Sequence, residues 1–378
     1  MTCWTDAADT PFMGIEYESQ IRDHRQLAAP LLNHTDALRW DVPPRLALKR
    51  KSELGQFMTP AAVARFMASL FPPSSLKTCR LLDAGAGAGA LTCAFLDRCN
   101  SAKGLHFQNV EVEAHEIDEA LREHLANILG SYAERLPVAY RVLSGDFVLE
   151  AACRRMRTSR HFTHAILNPP YKKINSASEH RLILRLAGIE TVNLYSAFVA
   201  LALTLMQPGG QLVAIVPRSF CNGPYYRPFR SFLLRHAALR HIHLFASRTK
   251  AFKDDDVLQE NVIVRLERGG SQDNVTVTNS TDATFADLST HEHPFDRIVL
   301  PDDPEQFIHV PASLERSTVE RSPGIRFSLP DIGIAVSTGP VVDFRLLEHI
   351  QQKPGREPCP SSIRAISSAT PRNGLARV

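Results

Sequence analysis

Apolar residues along most of this chain follow two spacings in turn: short uninterrupted runs, and runs that repeat every three or four residues. The first spacing is typical of buried strands and the second of amphipathic helices. Residues 54–71 carry the helical spacing, with Thr59 as the predicted N-cap and Pro60 at the first helical position. A strand, a glycine-rich loop and a helix are predicted within residues 80–99.

The same alternation continues along the chain. It predicts an α/β fold with a doubly wound, mostly parallel sheet covered by helices on both faces. The further predicted strands are at residues 110–118, 139–146, 163–168, 211–217, 241–245 and 261–268, and helices are predicted at residues 119–129 and 194–206.

Composition and charge narrow the class of protein. The chain has 378 residues, of which 44% are hydrophobic, and this content is enough for a sizeable core and excludes disorder as the dominant state. Lys and Arg number 43 against 40 Asp and Glu, so the formal charge is only +3. This balance excludes a uniformly basic coat protein, and any nucleic-acid site must be local.

The cysteines and the N-terminal sequence indicate the cellular compartment in which the protein is expected. The seven cysteines include no C-x-x-C pair, which favours a reduced, intracellular environment over a zinc or disulfide framework. The N-terminus lacks a basic segment followed by an apolar one, and the longest apolar stretches fall short of the roughly 18 residues that span a bilayer. We expect a cytoplasmic protein with no membrane partner.

The first candidate site is the string from Asp83 to Ala90, in which Gly85, Gly87 and Gly89 lie between a predicted strand and a predicted helix. Glycines there let a cofactor approach the backbone, and the start of a helix offers unpaired N–H groups. The string also satisfies G-x-G-x-x-A, which permits a dinucleotide-binding interpretation. The alternative is a purely structural tight turn, which any α/β protein can contain.

Carboxylates follow the next two predicted strands. Glu116 is placed to accept hydrogen bonds from the ribose hydroxyls of a nucleoside cofactor, with Asp118 as the local alternative. Asp146 is placed to accept from an adenine amino group, and Phe147 to pack on the adenine ring. The alternative is that these carboxylates are simply solvated residues at strand ends and bind no ligand. These positions share the carboxyl edge of one parallel sheet, where ligands of such folds bind.

The fourth candidate indicates a chemistry. Asn168, Pro169, Pro170 and Tyr171 end an apolar strand, where the two prolines fix the backbone and the Asn168 oxygen and Pro169 carbonyl become acceptors in a rigid corner. Two acceptors that hold an exocyclic amino group would localise its lone pair and aim it at a methyl sulfonium, and Tyr171 would stack on the base. A buried amino group requires the base to be flipped out of the duplex. A simple Asn-Pro turn is the alternative.

With these motifs in place, the sequence resembles the S-adenosylmethionine-dependent DNA adenine-N6 methyltransferases of bacterial restriction-modification systems. The order of motifs is similar to the γ arrangement, and the resemblance runs from Gly55 to about Arg345. It implies a Rossmann-like methyltransferase sheet, double-stranded DNA as substrate, S-adenosyl-L-methionine as cofactor and direct methyl transfer to the N6 atom of a flipped adenine. It implies no metal.

The resemblance also assigns residues. GQFMTPAAVARFM (55–67) matches the segment that closes over the cofactor, with Thr59 and Pro60 at its centre, and PRSFCNGPYYRPFR (217–230) matches the string PxSFxNGxYYxxFR. Phe252 takes the place of a second aromatic against the flipped base, with a buried strand-edge Phe as the alternative. The residues implied to bind the cofactor are Thr59, Pro60, Asp83, Gly85, Gly87, Gly89, Glu116, Asp146, Phe147 and Asn168, and those implied to be catalytic are Asn168, Pro169, Pro170, Tyr171 and Phe252.

The expected domains are an N-terminal helical extension (1–45), a catalytic domain (46–268), a connecting segment (269–332), and the lead-in to a target-recognition domain followed by a basic tail (333–378). The tail is rich in Ser, Pro and Arg, so we expect it to be disordered and the recognition domain to be truncated. A companion specificity subunit is the other explanation. A cognate restriction endonuclease is a further expected partner.

Three rivals remain open. In the first, the chain methylates protein glutamine or RNA amino groups, which other N-P-P-Y enzymes do. In the second, it is a non-catalytic or partner-dependent remnant of a DNA methyltransferase. In the third, it is a nicotinamide-dependent dehydrogenase.

Three arginines are candidates for phosphate contact. Arg218, Arg227 and Arg230 are nearest to the proposed site and to the aromatic pair Tyr225 and Tyr226.

Overall fold

The computed structural model describes residues 13, 32, 59–101, 104–154, 161–245, 260–311 and 332–334. The chain divides into two compact units, Met1–Glu315 and Arg316–Val378. Every helix and strand named below belongs to the first unit. In the second unit the described residues, 332–334, form a short turn.

Strands and helices alternate through the first half of the described chain, as the apolar pattern predicts. The strands are β1 Thr78–Ala84, β2 Asn109–His115, β3 Val138–Leu143, β4 Phe162–Leu167, β5 Met206–Pro217, β6 Ala237–Phe245, β7 Asn261–Arg268, β8 Val275–Ser280 and β9 Ser289–His293. The helices are α1 Ala61–Ser69, α2 Ala90–Asn100, α3 Glu119–Ala133, α4 Phe147–Arg154, α5 Glu179–Leu186, α6 Leu194–Leu205, α7 Arg227–His236 and α8 Phe295–Ile298.

These strands form one sheet in the order β3-β2-β1-β4-β5-β7-β6-β8-β9. The pairs from β3 to β5 are all parallel, β7 is antiparallel to both of its neighbours, and β8 is parallel to β6. The strand order reverses between β1 and β4, and in open α/β sheets the crevice at such a point is where ligands bind.

Helices cover both faces of the sheet, which confirms the predicted fold class. Successive side chains of a strand point to opposite faces, and Leu81 and Leu82 of β1 enter two different apolar cores. The Leu82 core includes Phe147 of α4 and much of α6, and the Leu81 core includes Phe95 of α2 and Leu125 of α3.

One expectation about an element boundary needs correction. The helix predicted over residues 54–71 begins at Ala61, with Pro60 as its N-cap residue and no side chain capping it, so Thr59 is not the N-cap. The segment after Arg268 contains short strands, as its pattern predicts, and these strands, β8 and β9, join the same sheet. The sheet therefore continues beyond the predicted end of the catalytic domain.

A cluster of buried charges joins β2, β3 and α4. The Glu113 carboxylate accepts hydrogen bonds from Arg141 at 2.8 Å and from Arg154, and it lies 3.1 Å from His115 Nε2. Burial raises the pKa of Glu113, but the hydrogen bond and charge of His115 and the charges of Arg154 and Arg141 outweigh it and lower the pKa to about 2. This cluster ties the last residue of α4 to the sheet.

Arg230 of α7 is fully buried and has a structural role. Its guanidinium donates hydrogen bonds to the carbonyl oxygens of Phe220, Gly223 and Glu305 at 2.8–3.0 Å, and it lies 4.9 Å from the centre of the Phe307 ring. The expectation that Arg230 contacts phosphate is therefore wrong, because its donors are occupied inside the protein.

Replacing Arg230 tests this role. We expect Arg230→Ala to lower the free energy of unfolding by about 2–4 kcal/mol, because it leaves buried carbonyls without donors and opens a cavity. Urea denaturation measures the change. Arg227→Ala is the matched control, since Arg227 is half exposed and bonds one carbonyl. Equal losses for the two variants would contradict the assignment.

Candidate active site

The glycine loop runs from the end of β1 to the start of α2, at the carboxyl edge of the sheet. Gly85 N and Ala86 N both donate to the carbonyl oxygen of His115 at 2.9 Å, so the loop continues the pairing of β1 with β2. Gly89 has φ +89°, and a Cβ there would lie 2.7 Å from Leu125 Cδ1. Glycine at this position lets α2 start in close contact with α3.

Glu116 lies directly after β2 and braces the loop. Its Oε2 accepts from Gly87 N at 2.8 Å and its Oε1 accepts from Asp118 N at 2.8 Å. Asp118, the local alternative, caps α3 by accepting from Leu121 N at 3.2 Å. The structure therefore gives Asp118 a capping task and leaves Glu116 beside the glycine backbone.

Asp146 lies at the start of α4 with two different partners. Its Oδ1 accepts from Val148 N at 2.9 Å, as a helix cap does, and its Oδ2 lies 2.9 Å from His180 Nε2. Burial raises the pKa of Asp146, but the hydrogen bond and charge of His180 and the helix N–H groups outweigh it, and the pKa is lowered. Phe147 is buried between the rings of His115 and Phe198, each 5.0 Å away.

The Asn168–Tyr171 tetrad follows β4. Asn168 Nδ2 donates to Thr59 Oγ1 at 2.9 Å, so the residue expected as a helix cap orients the Asn168 amide instead. The Tyr171 hydroxyl lies 3.3 Å from both Asn168 Oδ1 and the carbonyl oxygen of Ile215. Burial raises the pKa of Tyr171 well above its usual value, so the hydroxyl stays a donor.

The glycine loop and the tetrad are neighbours. A Cβ at Gly85 would lie 3.9 Å from Pro170 Cδ and 4.0 Å from the carbonyl oxygen of Asn168, with Phe198 Cε1 3.6 Å away. At Gly87 no atom lies within 4 Å of the corresponding point. The two motifs predicted to hold cofactor and target therefore meet where the ends of β1 and β4 are neighbours.

Behind the tetrad lies a second layer of aromatic rings. The ring centroids of Tyr171 and Tyr195 are 6.2 Å apart, and those of Tyr195 and Tyr226 are 5.7 Å apart. Asn193 Nδ2 donates to the Tyr226 hydroxyl. The string 217–230 singled out in the sequence thus supports the tetrad through Tyr226.

Sequence reasoning missed His180, Asn193 and Tyr195. Each reaches the site from a helix or loop whose local sequence carries no motif, and only the fold brings it there. Arg218 and Arg227, the other candidates for phosphate contact, each have an acidic partner, Glu260 at 3.2 Å and Glu305 at 3.9 Å respectively.

Several expectations fall outside the described residues: Phe252, residues 55–58, most of the N-terminal extension and nearly all of residues 333–378. Within the described ranges, no three His, Cys, Asp or Glu side chains come together as a metal site. None of the helices in that part of the chain is long and apolar enough to cross a membrane.

Comparison with known proteins indicates the family. A family model described as Eco57I restriction-modification methylase matches residues 99–252. The Type II methyltransferase M.BsuBI of Bacillus subtilis is 47% identical over 337 residues, which are 87% of this chain and 66% of the relative. M.PstI of Providencia stuartii is 40% identical over 340 residues, again 87% of this chain and 66% of the relative. The chain thus spans 66% of the length of these two relatives.

Solved structures share the fold. One described as a class I S-adenosylmethionine-dependent methyltransferase from Listeria monocytogenes superposes with a TM-score of 0.50 at 14% identity, over 68% of this chain and 76% of that one. Residues 99–252 of this chain therefore form an Eco57I restriction-modification methylase domain.

Proposed function

We propose that this chain transfers a methyl group from S-adenosyl-L-methionine to the N6 amino group of an adenine flipped out of double-stranded DNA. The observation that supports the proposal is that the glycine loop and the tetrad are neighbours: a Cβ added at Gly85 would lie within 4.0 Å of Asn168 and Pro170. A methyl donor on the loop and an amino group in the corner would then be neighbours, which is the orientation that transfer requires.

The residues at the loop fit the cofactor. Asp83 is fully buried, and its Oδ1 has no hydrogen-bond partner among the described residues. That orphaned acceptor suits the cationic methionine part of the cofactor. Glu116 would accept from the ribose hydroxyls, and Ile117, about half exposed at 49%, would give the adenine ring an apolar face. Asp146 would accept from the adenine amino group.

Asn168 and Pro169 would hold the substrate amino group. Because Thr59 accepts from Asn168 Nδ2, the amide oxygen is the acceptor that faces the corner. Asn168 Oδ1 and the Pro169 carbonyl would accept the two N6 hydrogens and localise the nitrogen lone pair. When bound, S-adenosylmethionine supplies an electrophilic methyl group on a positively charged sulfur. The amino group loses one proton to water after transfer.

Tyr171, and by the resemblance Phe252, would stack on the flipped adenine. Stacking offsets part of the cost of leaving the duplex. Tyr171 is well supported for this task because Tyr195 packs against the edge of its ring. The rings and the two acceptors together would fix the base in the plane needed for attack.

Double-stranded DNA is the proposed partner, and the Type II relatives support it. A cognate restriction endonuclease, or a specificity subunit that reads the target, is proposed as the second partner. Size exclusion with light scattering tests the latter: a monomer that methylates one defined site on its own would overturn a required subunit.

Transfer of labelled methyl from S-adenosylmethionine to unmethylated DNA, followed by digestion to nucleosides, tests the reaction. We expect label in N6-methyladenine. Asn168→Ala should lower kcat by about 100-fold or more, since it removes one of two acceptors, while cofactor affinity stays largely unchanged. Asn274→Ala, an exposed Asn before β8, is the matched control. Label in cytosine, in RNA alone or in protein glutamine would contradict the proposal.

Cofactor affinity should also depend on pH through Asp83. Burial, together with the charge of Glu116, raises its pKa to about 7 against the hydrogen bonds from Thr92. The ionised form attracts a cationic ligand and is populated above that pKa, so affinity should rise as pH increases through 7. Asp83→Asn should bind more weakly above pH 7 and lose the dependence. Calorimetric titration measures it, with exposed Asp273→Asn as control, and a flat wild-type profile would refute it.

A further inference from the structure

The chain is exposed directly after the tetrad. Lys172 and Lys173 follow the tetrad directly, and both are exposed. Their backbone is fixed: Lys173 forms a bridge with Asn193, and Leu194 N donates to the Lys172 carbonyl oxygen at 2.8 Å. The position of the Lys173 backbone is therefore set by its pairing with the start of α6.

The same Asn193 connects this segment to an exposed aromatic ring. Its side chain donates to the Tyr226 hydroxyl, and Tyr226 ends the short 3-10 helical turn Pro224–Tyr226. The preceding Tyr225 is 78% exposed. The turn is firmly held, because Gly223 N donates to the Ser219 carbonyl oxygen at 2.8 Å.

Buried Arg230 also stabilises that turn. Its guanidinium donates to the Gly223 carbonyl oxygen at 2.8 Å. Tyr225 therefore extends into solvent from a rigid base. We call Lys173 and Tyr225 together the rim.

Charge distinguishes the rim from the nearby arginines. Arg218 and Arg227 each have a carboxylate within 4.0 Å, whereas Lys173 has no ion pair within the described part of the chain. Lys173 lies two residues after Tyr171, which is proposed to stack on the flipped base, and its unpaired ammonium group can bind a phosphate of a polyanion. An exposed ring beside it suits an unstacked base, since every base offers a stacking face.

We propose that the rim contacts duplex DNA next to the flipped adenine, Lys173 donating to a phosphate oxygen and Tyr225 stacking on a neighbouring base. The inference rests on the proposed function, because the flipped base brings the duplex to the corner. Flipping unstacks the neighbouring bases and breaks the stack on one side. The rim places one charge and one ring where that disturbed duplex must lie.

The phosphate contact is tested by DNA binding at several salt concentrations, measured as fluorescence anisotropy of a labelled duplex. Lys173→Gln should reduce the slope of log affinity against log salt by about 1, the value for one released counterion. Lys77→Gln is the matched control, because Lys77 is exposed just before β1 at the opposite edge of the sheet. An unchanged slope for Lys173→Gln, or equal changes in both variants, would overturn this contact.

The stacking contact is tested by steady-state methylation. Tyr225→Ala should raise KM for DNA by about five- to tenfold, whereas Tyr225→Phe keeps the ring and should match the wild type. Cofactor affinity should not change in either variant. Because Tyr225 is mostly exposed, both variants should fold, and thermal unfolding checks this. A Phe variant as impaired as the Ala variant, or an Ala variant equal to wild type, would overturn stacking.

The two tests separate the rim from the reaction. If the wild type methylates adenine while the Lys173→Gln slope is unchanged, the phosphate contact fails alone. If the wild type binds duplex and transfers no label, the proposed function fails, and a reduced slope for Lys173→Gln still supports the rim.

Discussion

Backbone pairing of β1 with β2 on one side and β4 on the other is the constraint on which the site depends. Parallel strands end at one edge, and the register between β1 and β2 runs unbroken to Ala84 and His115. The glycine loop prolongs it, since two of its N–H groups bond the His115 carbonyl. The next residue, Glu116, then bonds Gly87. Main-chain pairing thus brings loop, carboxylate and tetrad to one edge, and the Glu116 side chain then bonds the loop.

Local sequence motifs were enough to locate those parts of the candidate site that follow directly after a single strand. The glycine loop, Glu116, Asp146 and the tetrad each occupy a few consecutive residues, and their place at the carboxyl edge follows from parallel pairing. The fold class follows equally well, because a sheet buried on both faces requires strands of nearly continuous apolar residues. The strand β4 is buried at all six positions.

Contacts between distant segments were not predictable in this way. Thr59 and Asn168 are 109 positions apart, and a Thr before Pro resembles a helix cap when only its neighbours are known. His180 and Asp146 are 34 positions apart, His180 in α5 and Asp146 just before α4. Arg230 resembled a surface cation because three arginines occur nearby, while its burial depends on the carbonyl groups of Phe220, Gly223 and Glu305. Partners of this kind are decided by tertiary packing.

The contact between the Tyr171 hydroxyl and Asn168 Oδ1 has a consequence for which bases the corner accepts. The Tyr171 hydroxyl lies within hydrogen-bond distance of that amide oxygen, at 3.3 Å. A base entering the corner displaces the hydroxyl and must return a donor to the oxygen. Adenine and cytosine carry an amino group at the corresponding edge, whereas thymine and guanine present a carbonyl oxygen. In the proposed reaction, a keto base would leave two acceptors facing each other in a poorly solvated corner, and it would be rejected before any chemistry begins.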